Sequence, residues 1–369
     1  MSQDSKATYV QLSKPYFTSR EIDVITRKNV DLSQNIRNFK SKTKETFQIL
    51  TTLIIKLKLP IRVLQNSSYF YQKFYLLNNN YKKYSNLHFE VGLAVLFISL
   101  KLNDYIKKVS VVISEAFTLK GNHLSSADIE ENKKIIISLE RKILEFQSFD
   151  FRNFLVEDFL IKFLKFFNAE KQDNGEVNAN LHNGDTKQGN KLTSKKTFSY
   201  LSWCILNDLY LTSLVLQYPA HYNAMVSIKC ASIIYNELIK DAENLDLNRK
   251  PINWDLKKLI AGNKSDLFII MGCNQLLEYY IDNIGITFLK TCLAELDFKI
   301  EEKKLVDLLL NIKIDLNSKI PSHLSSDNTA NSDDDLFFHT RDTDIAKNGS
   351  IRFLYNKQKF TDEVSMYNK

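Results

Sequence analysis

Three groups of residues have types and spacings that could do chemistry. Glu140, Glu145 and Asp150 crowd one short stretch, where two carboxylates of different pKa could move protons. Gly184–Lys191, GDTKQGNK, approaches a phosphate-binding loop. The six histidines (His88, His123, His182, His221, His323, His339) and the cysteines Cys204, Cys230, Cys273 and Cys292 are candidate metal ligands or nucleophiles. None of the three completes a site. No acid–base dyad can be argued from the carboxylates. In the loop, Asn190 stands where a lysine must follow the second glycine, and no strand pattern precedes it. The histidines show no metal spacing and read as surface or capping residues. HExxH, GxSxG and GxGxxG are absent. The reading therefore assigns no catalytic residue, no cofactor and no metal, and binding is the chemistry that remains.

Two charges stand where a helical pattern calls for apolar residues. Lys101 ends EVGLAVLFISLKLND (Glu90–Asp104), and Glu140 lies within IIISLERKILEFQSFDF (Ile135–Phe151), about forty residues on. A charge on a buried face costs several kcal/mol unless it finds a partner, so both are expected to meet another protein. Without further context the plainer readings are strong. Lys101 could lay its stem on apolar surface with its ammonium in water, and Glu140 could be a solvated position near Lys134 and Lys142.

The elements that must position these charges read as helices. Thr18-Ser-Arg-Glu21 has capping-box spacing, with Pro15, Tyr16 and Phe17 upstream to pack against the fold. A helix from about Ile36 places Phe47, Leu50, Leu53, Ile54 and Leu57 on one face and ends at Leu59-Pro60. The next is expected from Pro60 or Ile61 to Leu77, with Ser67 and Ser68 where a neighbour could approach closely. Then follow the Leu93, Leu96, Phe97, Leu100 helix, a short Val109–Leu119 helix, and one with Ile136, Leu139, Ile143 and Phe146 on a single face. Five helices in this span make one bundle. A second group begins with Val156–Phe167, whose aromatic stripe reads as core. It resumes at Phe198–Gln217 after an Asn-, Gly- and Lys-rich insert. Beyond Pro219, Ala220, Ala224, Ser227 and Ala231 share a face suited to a central helix. Further helices are expected at Trp254–Ile260, Asp266–Ile284 and Thr287–Leu296. Leu336–Thr340 and Ile351–Tyr355 flank Asn348-Gly349 as a hairpin, or as a segment that orders on binding.

The chain has 369 residues, 44% hydrophobic and 25% charged, enough for two modest all-α domains. Nine glycines and five prolines are few for a β sandwich. The net charge of +7 permits a phosphate-bearing or acidic partner without requiring one. The cysteines lie in apolar helical patterns and read as reduced core thiols. MSQDSKATYV shows no signal region, and Val91–Leu100 is about half a membrane span.

In order and spacing the segments resemble the cyclins. LKLPIRVLQNSSYFYQKF (Leu57–Phe74), GLAVLFISLKLND and LERKILEFQSFDF are similar to successive helices of a cyclin box. Pro219–Ala231 resembles the central helix of a second box. The resemblance covers roughly residues 35–300 and is closest to the transcriptional cyclins K, L, T and C. SKPYFTSREI (Ser13–Ile22), RNF (Arg37–Phe39), KLKLP, FFHTRD (Phe337–Asp342) and IRFLY narrow it further. They are similar to the cyclin subunit of the yeast kinase that phosphorylates the C-terminal repeat domain of RNA polymerase II.

The resemblance implies an all-α chain of two tandem five-helix boxes. It has an N-terminal extension (1–34), a kinase-binding first box (35–152), a second box (153–318) carrying the insert 168–196, and a tail (319–369). It implies a nuclear, non-catalytic subunit whose partner is a cyclin-dependent kinase, with a third subunit as a further candidate and the polymerase repeat domain as the complex's substrate. In the family a lysine and a glutamate form the polar centre of the kinase interface. By motif they fall on Lys101 and Glu140, with Phe97 and Ile143 as apolar neighbours and Asp104 as the acidic residue after the lysine. The family's second acidic residue there is replaced by Asn103, and its early Arg/Asp pair is represented at most by Arg37. The competing reading is a general-transcription-factor-like protein that binds DNA with two cyclin folds. It lacks the expected cysteine zinc ribbon and strongly basic second repeat. Basic Arg27–Lys44 leaves some room for direct nucleic-acid or phosphorylated-polymerase contact, though a solvated face is the simpler account.

Overall fold

The computed structural model describes residues 9–12, 16–30, 33–78, 81–146, 149, 151, 155–173, 194–240, 251–252, 265–320 and 352–355. Helices α1 (Ser19–Val30), α2 (Ser33–Lys56), α3 (Ile61–Leu77), α4 (Tyr81–Tyr84), α5 (His88–Leu102), α6 (Val109–Leu119) and α7 (Ser126–Phe146) make the first group. The second contains α8 (Val156–Asp173), α9 (Ser194–Leu209), α10 (Leu214–Gln217), α11 (Ala220–Leu238), α12 (Ser265–Asn283), α13 (Phe288–Glu295) and α14 (Glu302–Ser318). A short ribbon pairs β1 (Tyr9–Leu12) with β2 (Arg352–Tyr355).

The expected capping box opens α1. The Thr18 N–H donates to Glu21 Oε2 at 2.8 Å, and the Glu21 N–H donates to Thr18 Oγ1 at 3.1 Å. The Phe17 N–H donates to the Leu216 carbonyl at 2.9 Å. Phe17, Ile22 and Ile25 pack on the second group's core, while Val30 belongs to the first group's core. This helix therefore clasps both bundles.

In the first bundle, α2 closes on Lys58 at φ 50, with the Leu59 N–H donating to the Ile54 carbonyl. Pro60 then opens α3, where its missing N–H costs nothing. Helix α5 runs through the centre and is buried continuously from Val91 to Leu100. It lies so close to α2 that a Cβ on Gly92 would fall 2.4 Å from Thr46 Cγ2, so any side chain there would force Thr46 or the helix to shift. Helix α7 is capped by Ser125 and Asp128 and lays Ile136, Leu139 and Ile143 into the same core.

The second bundle is built around α11, whose Ala224, Ser227 and Ala231 are fully buried. Helix α12 approaches it closely, since a Cβ on Gly272 would lie 2.7 Å from Val226 Cγ2. Phe198–Gln217, expected as one helix, is broken. Helix α9 stops at Leu209, and α10 restarts at Leu214, whose N–H donates to Thr212 Oγ1. Helix α14 had no counterpart among the expected helices, although Leu305, Leu309, Ile312 and Leu316 carry its buried stripe. Helices α8 and α9 extend into the expected insert at both ends. Residues 174–193 lie outside the described residues, and with them the GDTKQGNK stretch and His182. The Trp254–Ile260 helix, Leu336–Thr340, His323 and His339 also lie outside them.

Each bundle has its own apolar core, and a polar seam joins them. Arg62 Nε donates to Glu157 Oε2 at 2.9 Å, Gln65 Nε2 to Asn207 Oδ1 at 2.9 Å, and Gln72 Nε2 to the Tyr210 carbonyl at 2.9 Å. Leu76 from the first bundle enters the second core, and Leu211 returns the exchange. Of the two tail runs, Leu336–Thr340 and the turn at Asn348-Gly349 lie outside the described residues, and within Ile351–Tyr355 the described strand is Arg352–Tyr355. Arg352–Tyr355 pairs antiparallel with Tyr9–Leu12, in the register Tyr9 to Tyr355, and so ties together the two ends of the chain. A strand needs a complementary edge, and that edge need not be near in sequence.

Candidate protein-docking site

The two out-of-pattern charges meet each other. Lys101 Nζ donates to Glu140 Oε1 at 2.6 Å, joining the end of α5 to the middle of α7. The lysine side chain is 66% exposed and the glutamate 14%. Glu140 is largely covered as expected, whereas Lys101 is not, and each satisfies the other's charge. Lys101 snorkels into water, and its ammonium partners the mostly covered carboxylate. The Lys101 ammonium faces outward and can still donate two more hydrogen bonds.

Phe97 and Ile143 do not present contact surface. They are 4% and 0% exposed, within the first core. The helical period that placed them beside Lys101 and Glu140 places them on the inner face, where they hold α5 against α7. Asp104 takes φ 55 at the end of α5. Its N–H donates to the Lys101 carbonyl, and the Tyr105 N–H donates to the Leu100 carbonyl at 2.9 Å. This is a Schellman closure with aspartate in the left-handed position usually held by glycine.

That closure turns the chain outward, and the apolar residues on it are exposed. Leu102, Tyr105 and Ile106 are 39%, 43% and 97% exposed, and Ile137, one turn before Glu140, is 51% exposed. Ile55 and Val111 are exposed on α2 and α6, which Lys56 Nζ and Glu115 Oε2 join at 2.5 Å. Phe149 and Phe151, just past α7, are exposed as well. Scattered single apolar residues need no explanation, whereas Leu102, Tyr105 and Ile106 are exposed together in one short stretch directly after Lys101. The sequence reading missed Leu102, Tyr105 and Ile106. Their signal was available, as three large apolar side chains in the polar helix end KLNDYIKK.

The remaining candidate chemistry resolves into structure. Glu145 accepts from Lys142 Nζ at 2.7 Å and Arg141 Nε at 3.1 Å, and the Lys142 bond leads in holding its carboxyl below the usual range. Asp150 lies outside the described residues. His88 is a core residue, contrary to its reading as a surface or capping histidine. Its Nδ1 is 2.5 Å from the Tyr71 hydroxyl, its Nε2 is 3.2 Å from the Tyr81 hydroxyl, and its ring stacks on Tyr75 at 4.4 Å. Burial, with Lys42 adding to it, pushes its pKa down to about 3. His221 packs against Phe159 and Tyr222, and His123 is exposed. The described cysteines are free and buried. Among the described residues no three His, Cys, Asp or Glu side chains gather to hold a metal, and no helix is long and apolar enough to cross a membrane.

One carboxylate escaped the sequence reading altogether. Asp208, at the end of α9, is fully buried. It accepts from the Phe288 and Leu289 N–H groups at 2.8 Å each and from the Tyr280 hydroxyl at 3.1 Å. It thereby caps α13 from another helix. Burial pushes its pKa up to about 7, although all three hydrogen bonds pull the other way.

The chain covers 94% of a chain in the crystal structure of the yeast RNA Pol II CTD kinase CTDK-1 complex. That match takes in 92% of this chain, at a TM-score of 0.60 and 21% sequence identity. The fold is a cyclin fold. Two curated relatives are similar in sequence. The CTD kinase subunit beta of Saccharomyces cerevisiae is 25% identical over 223 residues, 59% of this chain and 59% of its own length. The CTD kinase subunit beta of Schizosaccharomyces pombe is 26% identical over 230 residues, 60% of this chain and 58% of its own length. The matched region thus spans less than two thirds of either relative. No family model matches the chain.

Proposed function

We propose that this chain is the cyclin subunit of a nuclear kinase complex that phosphorylates the C-terminal repeat domain of RNA polymerase II during transcription elongation. The observation that carries the reading is the exposed apolar surface around Lys101 and Glu140, on a cyclin fold similar to CTD kinase beta subunits. In this reading the first bundle (within 35–152) docks on the kinase's movable helix and holds it where its glutamate can pair with the ATP-positioning lysine. The chain moves no proton and transfers no phosphoryl group itself. Lys101 and Glu140 form the polar centre of the contact. Leu102, Tyr105, Ile106 and Ile137 supply its apolar part, with Phe97 and Ile143 behind them. The second bundle (within 153–318) and the tail are left for a third subunit or for substrate. Similarity to kinase subunits gives this reading precedence over a DNA-binding factor with two cyclin folds.

The test is to purify the tagged chain with whatever kinase it retains, then reconstitute the pair from separately expressed proteins. Phosphorylation of a repeat-domain substrate should require both proteins, and Ile106→Asp should abolish the stimulation without changing the chain's helicity. A chain that stimulates no cyclin-dependent kinase, yet shifts duplex DNA with a steep salt dependence, would overturn the reading in favour of the DNA-binding alternative.

A further inference from the structure

The charges around the docking surface are unevenly balanced. Helices α2 and α5 run side by side in the same direction, because the Phe39 and His88 rings lie 5.5 Å apart near one end and Gly92 abuts Thr46 further along. Their C-terminal ends therefore lie at the same end of the bundle, and Lys58, just past α2, and Lys101 and Leu102, at the end of α5, share that end. Lys107 and Lys108 lead directly into α6, and the Lys56–Glu115 pair ties α6 to the end of α2. Lys58, Lys107 and Lys108 are exposed and join no salt bridge among the described residues. The carboxylates Glu115 and Glu140 are already occupied by Lys56 and Lys101. Asp104, exposed in the same KLNDYIKK stretch, stands against Lys107 and Lys108 in the sequence and joins no salt bridge among the described residues either.

We propose that Lys58, Lys107 and Lys108 form a basic collar around Leu102, Tyr105 and Ile106 that captures the acidic flank of the kinase's docking segment and sets the rate of association. The proposal rests on the reading of this face as the kinase-docking surface, and adds to it the chemistry of the partner and the step the charges control. An apolar patch ringed by unpaired like charges selects a complementary surface with an apolar ridge and acidic margins. Exposed rim charges act over about 10 Å at 0.1 M salt, so they steer the encounter more than they hold the complex. The Lys101–Glu140 pair, being internally satisfied, adds little to that long-range field. The collar and the polar centre therefore divide the work, with the first setting arrival and the second residence.

Stopped-flow mixing of the purified chain with the purified cyclin-dependent kinase it activates tests this. Raising the ionic strength from about 0.05 to about 0.5 M should slow association about tenfold or more. The triple variant Lys58→Glu, Lys107→Glu, Lys108→Glu should associate about tenfold more slowly at low salt and lose most of the salt dependence. Its dissociation rate should stay within about twofold and its melting curve should match the parent. A parent rate indifferent to salt, with a triple variant that associates as fast, overturns the proposal. The Ile106→Asp variant separates that failure from failure of the underlying reading. If Ile106→Asp abolishes the complex while the triple variant associates normally, the face docks the kinase and the collar idea falls alone. If Ile106→Asp binds with full affinity, the docking surface is elsewhere and the reading falls with it. Kinase association unchanged in the triple variant, with loss of binding to a phosphorylated repeat-domain peptide, would assign the lysines to substrate and also overturn the proposal.

Discussion

The first bundle carries its principal ion pair at an open end, with the Lys101 ammonium in water and exposed Leu102, Tyr105 and Ile106 beside it. The second holds its principal carboxylate, Asp208, inside, with three donors converging from α12 and the start of α13. Both groups join helices distant in sequence, yet they stabilise different things. Asp208 is committed to its own fold and has nothing left to offer. Lys101 and Glu140 satisfy each other through one contact and keep hydrogen-bonding capacity facing outward. On the proposed reading, the difference separates a carboxylate spent on its own bundle from an ion pair at an end that docks another protein.

The sharpest way to break this comparison is Asp208→Ala. Two backbone N–H groups and the Tyr280 hydroxyl would lose their acceptor in the core, where each orphaned donor costs about 1–3 kcal/mol. Urea unfolding should show a loss of about 4 kcal/mol, with hydrogen exchange rising first in α13. An effect below about 1 kcal/mol would mean that α13 is held by its apolar contacts alone, and that Asp208 is no counterpart to the exposed pair.

The next largest effect is a pH dependence of opposite sign in the two halves. His88 has its folded pKa depressed to about 3, so its contribution is fully present above the unfolded value of about 6.5 and is lost as pH falls through that window. Asp208 has its folded pKa raised to about 7, so its contribution is present below the unfolded value of about 3.8 and is lost as pH rises toward 7. Each slope is worth about 2–3 kcal/mol over two pH units, and the two oppose one another between about pH 4 and 6.5. Global stability should therefore look nearly flat in that range. In Asp208→Asn it should climb with pH as the His88 slope is uncovered. Site-resolved hydrogen exchange on the parent gives an independent check, with α3 and α5 protected better at pH 6.5 and α13 better at pH 5.

Substitution of the exposed pair should move binding and spare the fold. Lys101→Ala or Glu140→Ala is expected to weaken kinase binding by about 2 kcal/mol in calorimetry. Because Lys101 is largely solvated, the same changes should cost less than about 1 kcal/mol of stability. Unchanged affinity with a lowered melting temperature would make this pair an internal staple like Asp208 and erase the contrast.

Which of these groups could be read from the sequence follows from how locally each is determined. The Thr18–Glu21 box, the Pro60 start of α3 and the Val109–Leu119 limits of α6 depend on residues within a turn or two, and they were legible. Lys101 and Glu140 were legible as breaks in a pattern. Their mutual contact was not, since it depends on how two helices 39 positions apart cross. Phe97 and Ile143 were placed on the right helices but at the wrong depth, because a helical period locates a face without saying whether a neighbouring helix covers it. Asp208 left no trace in CILNDLYL, since its partners Phe288 and Leu289 lie 80 and 81 residues later. His88 was missed for the same reason, being held by tyrosines brought together from α3 and α4.

The smallest effect concerns Asp104, which motif resemblance placed among the contact residues and which closes α5 at φ 55. A non-glycine residue in the left-handed region costs roughly 1 kcal/mol, less for aspartate than for branched residues. Replacement by glycine removes that strain but adds unfolded-state entropy, so Asp104→Gly should raise stability by only about 0.5 kcal/mol. Removing the carboxylate also takes away an acidic charge from the stretch that carries Lys107 and Lys108. If Asp104 serves mainly to turn the chain, the variant should melt slightly higher and bind the kinase no more weakly, with association slightly faster at low salt. If affinity instead falls about tenfold with the melting point raised, Asp104 touches the partner directly. The turn and the contact would then be two functions of one residue, and the open end of the first bundle would be more finely matched to its partner than its exposed apolar residues alone require.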